Sequence, residues 1–530
     1  MLDHTSPLKA TARMGRKQVR CRESAPAVRA RTLLLAASTL VLAGLPACFL
    51  FGNSKDANVL LVVVESLRYD AISRASGAAR TPNMQALATE GATFRSCFSH
   101  APVYEPAMAS LLSSRLPHEH GVMRNGDGLS EGVALLPEWL RKRGYQTFAD
   151  FGLSSGAPHP GVGLGRGMDR VVSFSNELAP ASDVIDGFET FLAGARQEKP
   201  WFALLQLVET RQPFDASEDD RVEAQIIRDG EEPETLSIGE NCFWERSLTL
   251  PPGRTRFTVH GDVSMRVLRF GAHAGKHALN TIFERGEVLK AGKEFVISVE
   301  NPGDEPQDCE LSAWFHDAPT LAESRKRYRG EVEAVDKAIG RLVETLRKRG
   351  LYDHTVIVLT SDHGLALGEH GHLGRDIGLF DEFLHVPLLI KPLKDDPRLE
   401  DLTHSVTDIV RLVDVVPTLL ELANVHPMPG AGGASLLEHR QRELIAEAHA
   451  QDPACSTFLI RDERFKLVLG SSENRYTMYD LRSDTLEQED VFPLQGQNKP
   501  DWQRRLGALV GGVHPPKAAH GDTRFESLGY

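Results

Sequence analysis

Two short runs of consecutive apolar, mostly β-branched residues organise the reading of this chain: Val59-Leu60-Leu61-Val62-Val63-Val64 and Val356-Ile357-Val358-Leu359. Neither alternates with polar residues, so each predicts a strand covered on both faces, as in a parallel sheet flanked by helices. From Tyr328 the pattern changes: Tyr328, Val332, Val335, Ile339, Leu342, Val343 and Leu346 recur at helical spacing, and Gly350 follows as a stop. The other face of that helix is rich in Arg, Lys and Glu and reads as ordinary solvation. At Thr255 to Val259 and at Glu294 to Val299 the period drops to two, with Pro251-Pro252-Gly253 as a turn. This predicts a small inserted β-sandwich over 224–316. A Gly and Pro cluster from Pro427 to Gly433 predicts a linker to a small C-terminal α+β subdomain, with strands at Arg461 to Leu467 and Arg475 to Leu481. The expected organisation is a leader and linker (1–55), a core in two parts (56–223 and 317–426), the insert between them, and a C-terminal subdomain and tail (427–530). The fold class is α/β.

Length and charge narrow this picture. At 530 residues with 41% hydrophobic content, the chain can bury a large core and more than one domain. A formal net charge of −13 argues against nucleic acid as a partner. At the start, basic residues through Arg29 and Arg31 precede the apolar run Thr32 to Ala47, the pattern of an export signal. Leu45-Pro46-Ala47-Cys48 resembles a bacterial lipobox, which makes Cys48 the expected lipidation site and the membrane a partner through that lipid. The expected location is the bacterial periplasm or cell surface; the alternative is a single transmembrane anchor over Thr32 to Phe51. Export permits disulfides, and Cys242 with Cys309 is the natural pair in the insert.

Candidate chemistry lies where the two buried strands give out. The first ends on Glu65-Ser66 and the second leads into Asp362-His363. In open α/β sheets the ligand crevice lies beyond the carboxyl ends of strands, so these side chains point at one site. Two carboxylates and one imidazole suit a single divalent metal with a taste for oxygen: Ca²⁺ first, with Mn²⁺ or Mg²⁺ as alternatives.

Several segments, in order, resemble the sulfatase family of the alkaline phosphatase superfamily. They are NVLLVVVESLRYD, TPNMQALATEGATF, AMASLLSSRLPHEHGV, EWLRKRGYQTFADF, the long YRGEVEAVDKAIGRLVETLRKRGLYDHTVIVLTSDHGLALGEHG and LFDEFLHVPLLIKP, with MYDLRSDTLEQEDV near the end. The resemblance implies an alkaline-phosphatase-like α/β/α sandwich that hydrolyses sulfuric or phosphoric esters, glycan esters among them. It also implies a nucleophile in Cys/Ser-x-Pro-x-Arg, where this chain has Tyr104-Glu105-Pro106-Ala107-Met108. Tyr104 cannot become an aldehyde hydrate, and Met108 carries no charge where the family has Arg. Arg211 stands at the family's His, unable to act as a general acid near neutral pH but able to grip an anion. Arg375 stands at or beside the family's substrate-gripping Lys. Ser66, adjoining Glu65, is the alternative hydroxyl. Two readings stay open: a hydrolase with an altered nucleophile, or a catalytically silent sulfatase-like binding protein at the cell surface.

Overall fold

The computed structural model describes residues between 57 and 512, apart from 73–77, 153–161, 174–178, 197, 212–221, 375–377, 405–406, 439–441, 451–455, 471–474, 493–498 and several short stretches between 229 and 320. The leader with Cys48, and Arg375, lie outside the described residues.

An eight-stranded sheet carries the site. Its order is Ile409–Arg411, Ala92–Phe98, His385–Lys391, Thr355–Thr360, Asn58–Val64, Trp201–Leu207, Gln146–Phe151, Arg170–Ser173. Asn58–Val64 sits in the middle and pairs in parallel with both neighbours, Val63 opposite Thr360 on one side and Gln206 on the other. Only His385–Lys391 runs antiparallel to the strands beside it. The unbroken apolar run of the central strand follows from this position. Val59, Leu61 and Val63 enter one core, Leu60, Val62 and Val64 the other. Each such side chain removed from water contributes roughly 1.5–3 kcal/mol.

Helices close both faces. The helix Tyr104–Ser113, buried along its whole length, lays Met108, Leu111 and Leu112 on the first core. The long helix Leu321–Lys348 lays Tyr328, Val332, Val335, Ile339, Leu342 and Leu346 on the second, matching the spacing read from the sequence. The result is the α/β/α layering of the alkaline-phosphatase-like fold.

Between the two halves of this sheet, the described residues from Val222 to Asp317 form two five-stranded antiparallel sheets. Within them the expected Cys242–Cys309 bridge fails. The register sets Cys242 opposite Phe315 and Cys309 opposite Leu248, six positions further along the same strand pair. At about 3.4 Å per residue the two Cα atoms stand ~20 Å apart along the strand, whereas a disulfide needs roughly 4.4–6.8 Å. Cys309 is a buried free thiol. Toward the C terminus, Leu444–Ala448, Thr457–Arg461, Phe465–Gly470 and Arg475–Asp480 make a four-stranded antiparallel sheet, and the helix Lys499–Gly512 packs Trp502 and Leu506 against it.

Candidate metal centre

Since Asn58–Val64 and Thr355–Thr360 are parallel neighbours in register, the residues that follow them emerge together. Ligand atoms of Glu65, Asp362 and His363 all lie within 4.8 Å of one another, and all three residues are 0% exposed. Backbone contacts lock the two ends. The Ser66 N–H donates to Asp362 Oδ1 at 3.0 Å, and the Leu67 N–H donates to Ser361 Oγ at 2.9 Å. The Tyr328 hydroxyl donates to Ser66 O at 3.0 Å and accepts from the Arg68 N–H at 2.9 Å. Ser66 itself adopts φ 62°, a left-handed conformation uncommon outside glycine, held at both its N–H and its carbonyl. Gly364 completes the turn: its N–H donates to Phe383 O at 2.7 Å, and a Cβ there would stand 2.1 Å from Glu382 O.

The donor set fits a divalent cation on its own chemistry. His363 Nδ1 donates to Gly364 O at 2.7 Å, which leaves Nε2 with its lone pair facing Asp362 Oδ2 at 3.5 Å. Both of these atoms are buried without a hydrogen-bond partner. Leaving two such atoms unsatisfied in an interior is costly unless something positive sits between them. Burial raises the Asp362 carboxyl above its ordinary range, His363 offsets part of this, and the charge of Glu65 adds to the rise.

Around this centre the remaining site residues sort differently. Arg211 comes to the site, its Nε 3.6 Å from Glu65 Oε1. Tyr104 opens its helix and is buried, its hydroxyl donating to Gln206 Oε1 at 2.8 Å. Burial, followed by the charges of Glu65, Glu105 and Asp362, pushes that phenol well above its ordinary value. Ser66 Oγ is buried and has no hydrogen-bond partner. Asp70, a little further along, is held by Arg68 through two contacts of 2.8 and 2.6 Å. His370 turns to Glu382 at 2.7 Å and stacks on Phe380.

Sequence reasoning passed over Gln206 and Ser361 and read Tyr328 only as a core position. Gln206 bridges the centre, its Nε2 donating to Glu65 Oε2 at 3.2 Å. The available signal was its being the one polar residue in the strand WFALLQL, next to the carboxyl end.

Residues 57–425 match the sulfatase family model. The chain belongs to the sulfatase family. Among its relatives, the multifunctional alkaline phosphatase superfamily protein PehA of Trinickia caryophylli is 27% identical over 459 residues, 78% of this chain and 86% of that one. The N-acetylglucosamine-6-O-sulfatase of Bacteroides thetaiotaomicron is 25% identical over 497 residues, covering 83% of each. The crystal structure of a phosphonate monoester hydrolase from Agrobacterium radiobacter superposes with a TM-score of 0.58 at 19% identity, over 86% of this chain and 95% of that one. This sulfatase-family member is a hydrolase by homology, and the structural likeness bears out the alkaline-phosphatase-like fold.

Proposed function

We propose that this protein is a metal-dependent hydrolase of sulfuric or phosphoric esters, exported and held at the membrane by a lipid on Cys48. The observation that carries the site reading is the convergence of Glu65, Asp362 and His363 with two orphaned, inward-facing donor atoms. Those three residues would hold one divalent cation, Ca²⁺ first and Mn²⁺ or Mg²⁺ as alternatives, which when bound supplies neutralisation of ester oxygens. Arg211 adds a fixed positive charge beside Glu65 for the anion. Arg375 is assigned the same task from its place in the sequence. The relatives' names support a sugar sulfate or a phosphorus ester as the substrate class.

Tyr104 is not assigned the attack, because its hydroxyl is engaged by Gln206 and its phenol stays protonated. Ser66 takes that role in this reading. Its oxygen would bond to sulfur or phosphorus as the ester oxygen departs with a proton, and water would then release the acid and restore the hydroxyl. A second reading, a catalytically silent surface protein that binds such esters, is favoured by Tyr104 and Met108, which remove both the aldehyde precursor and its Arg partner.

The test is an assay of purified protein on aryl sulfate, phosphate monoester and phosphodiester substrates with each of the three cations. Turnover that is lost in Asp362→Ala and in Ser66→Ala supports the hydrolytic reading. Cation binding without turnover on any substrate establishes the silent one, and turnover that survives Ser66→Ala but not Tyr104→Phe returns the attack to the phenol.

A further inference from the structure

We propose that Tyr104 is a positioning residue for the metal ligand Glu65, acting through the side-chain amide of Gln206. The inference rests on the reading of Glu65, Asp362 and His363 as the residues that hold the cation.

Gln206 is paired with Val63 in parallel, so both side chains leave the sheet on the same face. Val63 belongs to the core that also contains Tyr104 and Met108. The helix entered at Tyr104 therefore meets the sheet where Gln206 projects. Glu65, two residues beyond Val63, follows on the same side. A tyrosine at the helix start spans this gap, where the short side chain of Cys or Ser would fall short of Gln206.

The chemistry then fixes which way the amide points. A phenol with an ordinary pKa near 10 is protonated at neutral pH, and its one hydrogen goes to Gln206 Oε1 at 2.8 Å. A carboxylate only accepts, so the other end of the amide, Nε2, donates to Glu65 Oε2 at 3.2 Å. Reversing the amide would set its oxygen against the carboxylate and leave its NH₂ facing the phenol. Both contacts therefore agree on one orientation. Gln206 and Glu65 are 0% exposed and Tyr104 6%, so bulk water does not compete for these bonds.

Glu65 is thereby held from several sides: Gln206 on Oε2, Arg211 near Oε1, and a backbone N–H bonded to Leu207 O at 2.8 Å. A ligand carboxylate fixed in this way loses less freedom when the cation arrives. Outer hydrogen-bond partners of this kind are worth roughly 10–100-fold in metal affinity. On this account the position that bears the family's nucleophile has been turned over to support of the metal.

The experiment is calorimetric titration of chelator-treated protein with Ca²⁺, Mn²⁺ and Mg²⁺, for the wild type, Tyr104→Phe, Gln206→Leu and the double variant. Thermal melts without metal confirm that each is folded, and Met108→Leu serves as a packing control on the same helix. The expected result is a Kd raised about tenfold or more by either single change, a double variant no weaker than Gln206→Leu alone, and an unchanged control. Losses that add in the double variant, or a Tyr104→Phe protein that binds like the wild type, overturn the relay while leaving the metal reading intact. A wild type that binds none of the three cations overturns both.

Discussion

Ser66 and Asp362, 296 residues apart in sequence, are joined by a single hydrogen bond of 3.0 Å from the serine N–H to Oδ1 of the aspartate. The same oxygen accepts from the His363 N–H at 2.8 Å. Oδ1 is thus committed to the backbone, and Oδ2 is left facing His363 Nε2.

This division of labour separates structure from metal binding. Asp362→Asn preserves the backbone bonds through its amide oxygen but lowers the charge. It is expected to fold normally and to lose at least about tenfold in cation affinity. Asp362→Ala strands two buried N–H groups and should also cost about 1–3 kcal/mol for each. Parallel calorimetry and urea denaturation distinguish the two variants.

Two buried histidines should make the protein lose stability in acid. Burial lowers His100 to about 4, helped by Arg411, and lowers His120 to about 3. In the unfolded chain both titrate near 6.5, so below that pH the unfolded state binds more protons and stability falls. The slope is up to about 1.4 kcal/mol per pH unit for each histidine. Burial works against the charge on His118, but the Glu447 carboxylate outweighs it and raises that group. Its contribution is full below 6.5 and is lost only as pH rises through the raised value. Urea denaturation between pH 7 and 4.5 should show the acid slope, and His120→Gln should flatten it. An unchanged slope would contradict the assignment.

The four-stranded C-terminal sheet reaches back to the site through buried charge. Lys466 is buried between Asp381, at 2.9 Å, and Glu487, while Arg461 grips Asp381 with contacts of 2.8 and 2.9 Å. Asp381 opens the short helix whose Phe383 carbonyl receives Gly364. Lys466→Met leaves two carboxylates facing each other with one partner removed, and a loss of roughly 3–5 kcal/mol is expected. Denaturant melts measure it.

Cys242 and Cys309 are expected to remain unlinked in the oxidised protein. With the two cysteines six positions out of register, peptide mapping under non-reducing conditions is expected to yield no peptide linking Cys242 to Cys309.

The sheet was legible because its central strands are buried on both faces, so Val59–Val64 and Val356–Leu359 carry an unbroken apolar signal, and their polar ends read as a site. Tyr328 was visible as a helical core position, but its hydroxyl contact to Ser66 depends on how that helix sits over the strand end. Gln206 was hidden for a similar reason: its role comes from a helix that begins at Tyr104, 102 residues earlier. The cysteine pairing failed because composition says that two thiols exist but only register says whether they meet.

The central strand also sets an order of events in time. Its partner Trp201–Leu207 is synthesised long before Thr355–Thr360, and two antiparallel sheets of mostly neighbouring strands lie between. Contacts between distant segments carry the larger loop-closure cost and form late. Glu65 is joined by Asp362 and His363 only when a strand from the far side of the insert pairs with the central one. Ligation by all three side chains would therefore report that Thr355–Thr360 has paired with Asn58–Val64 across the insert.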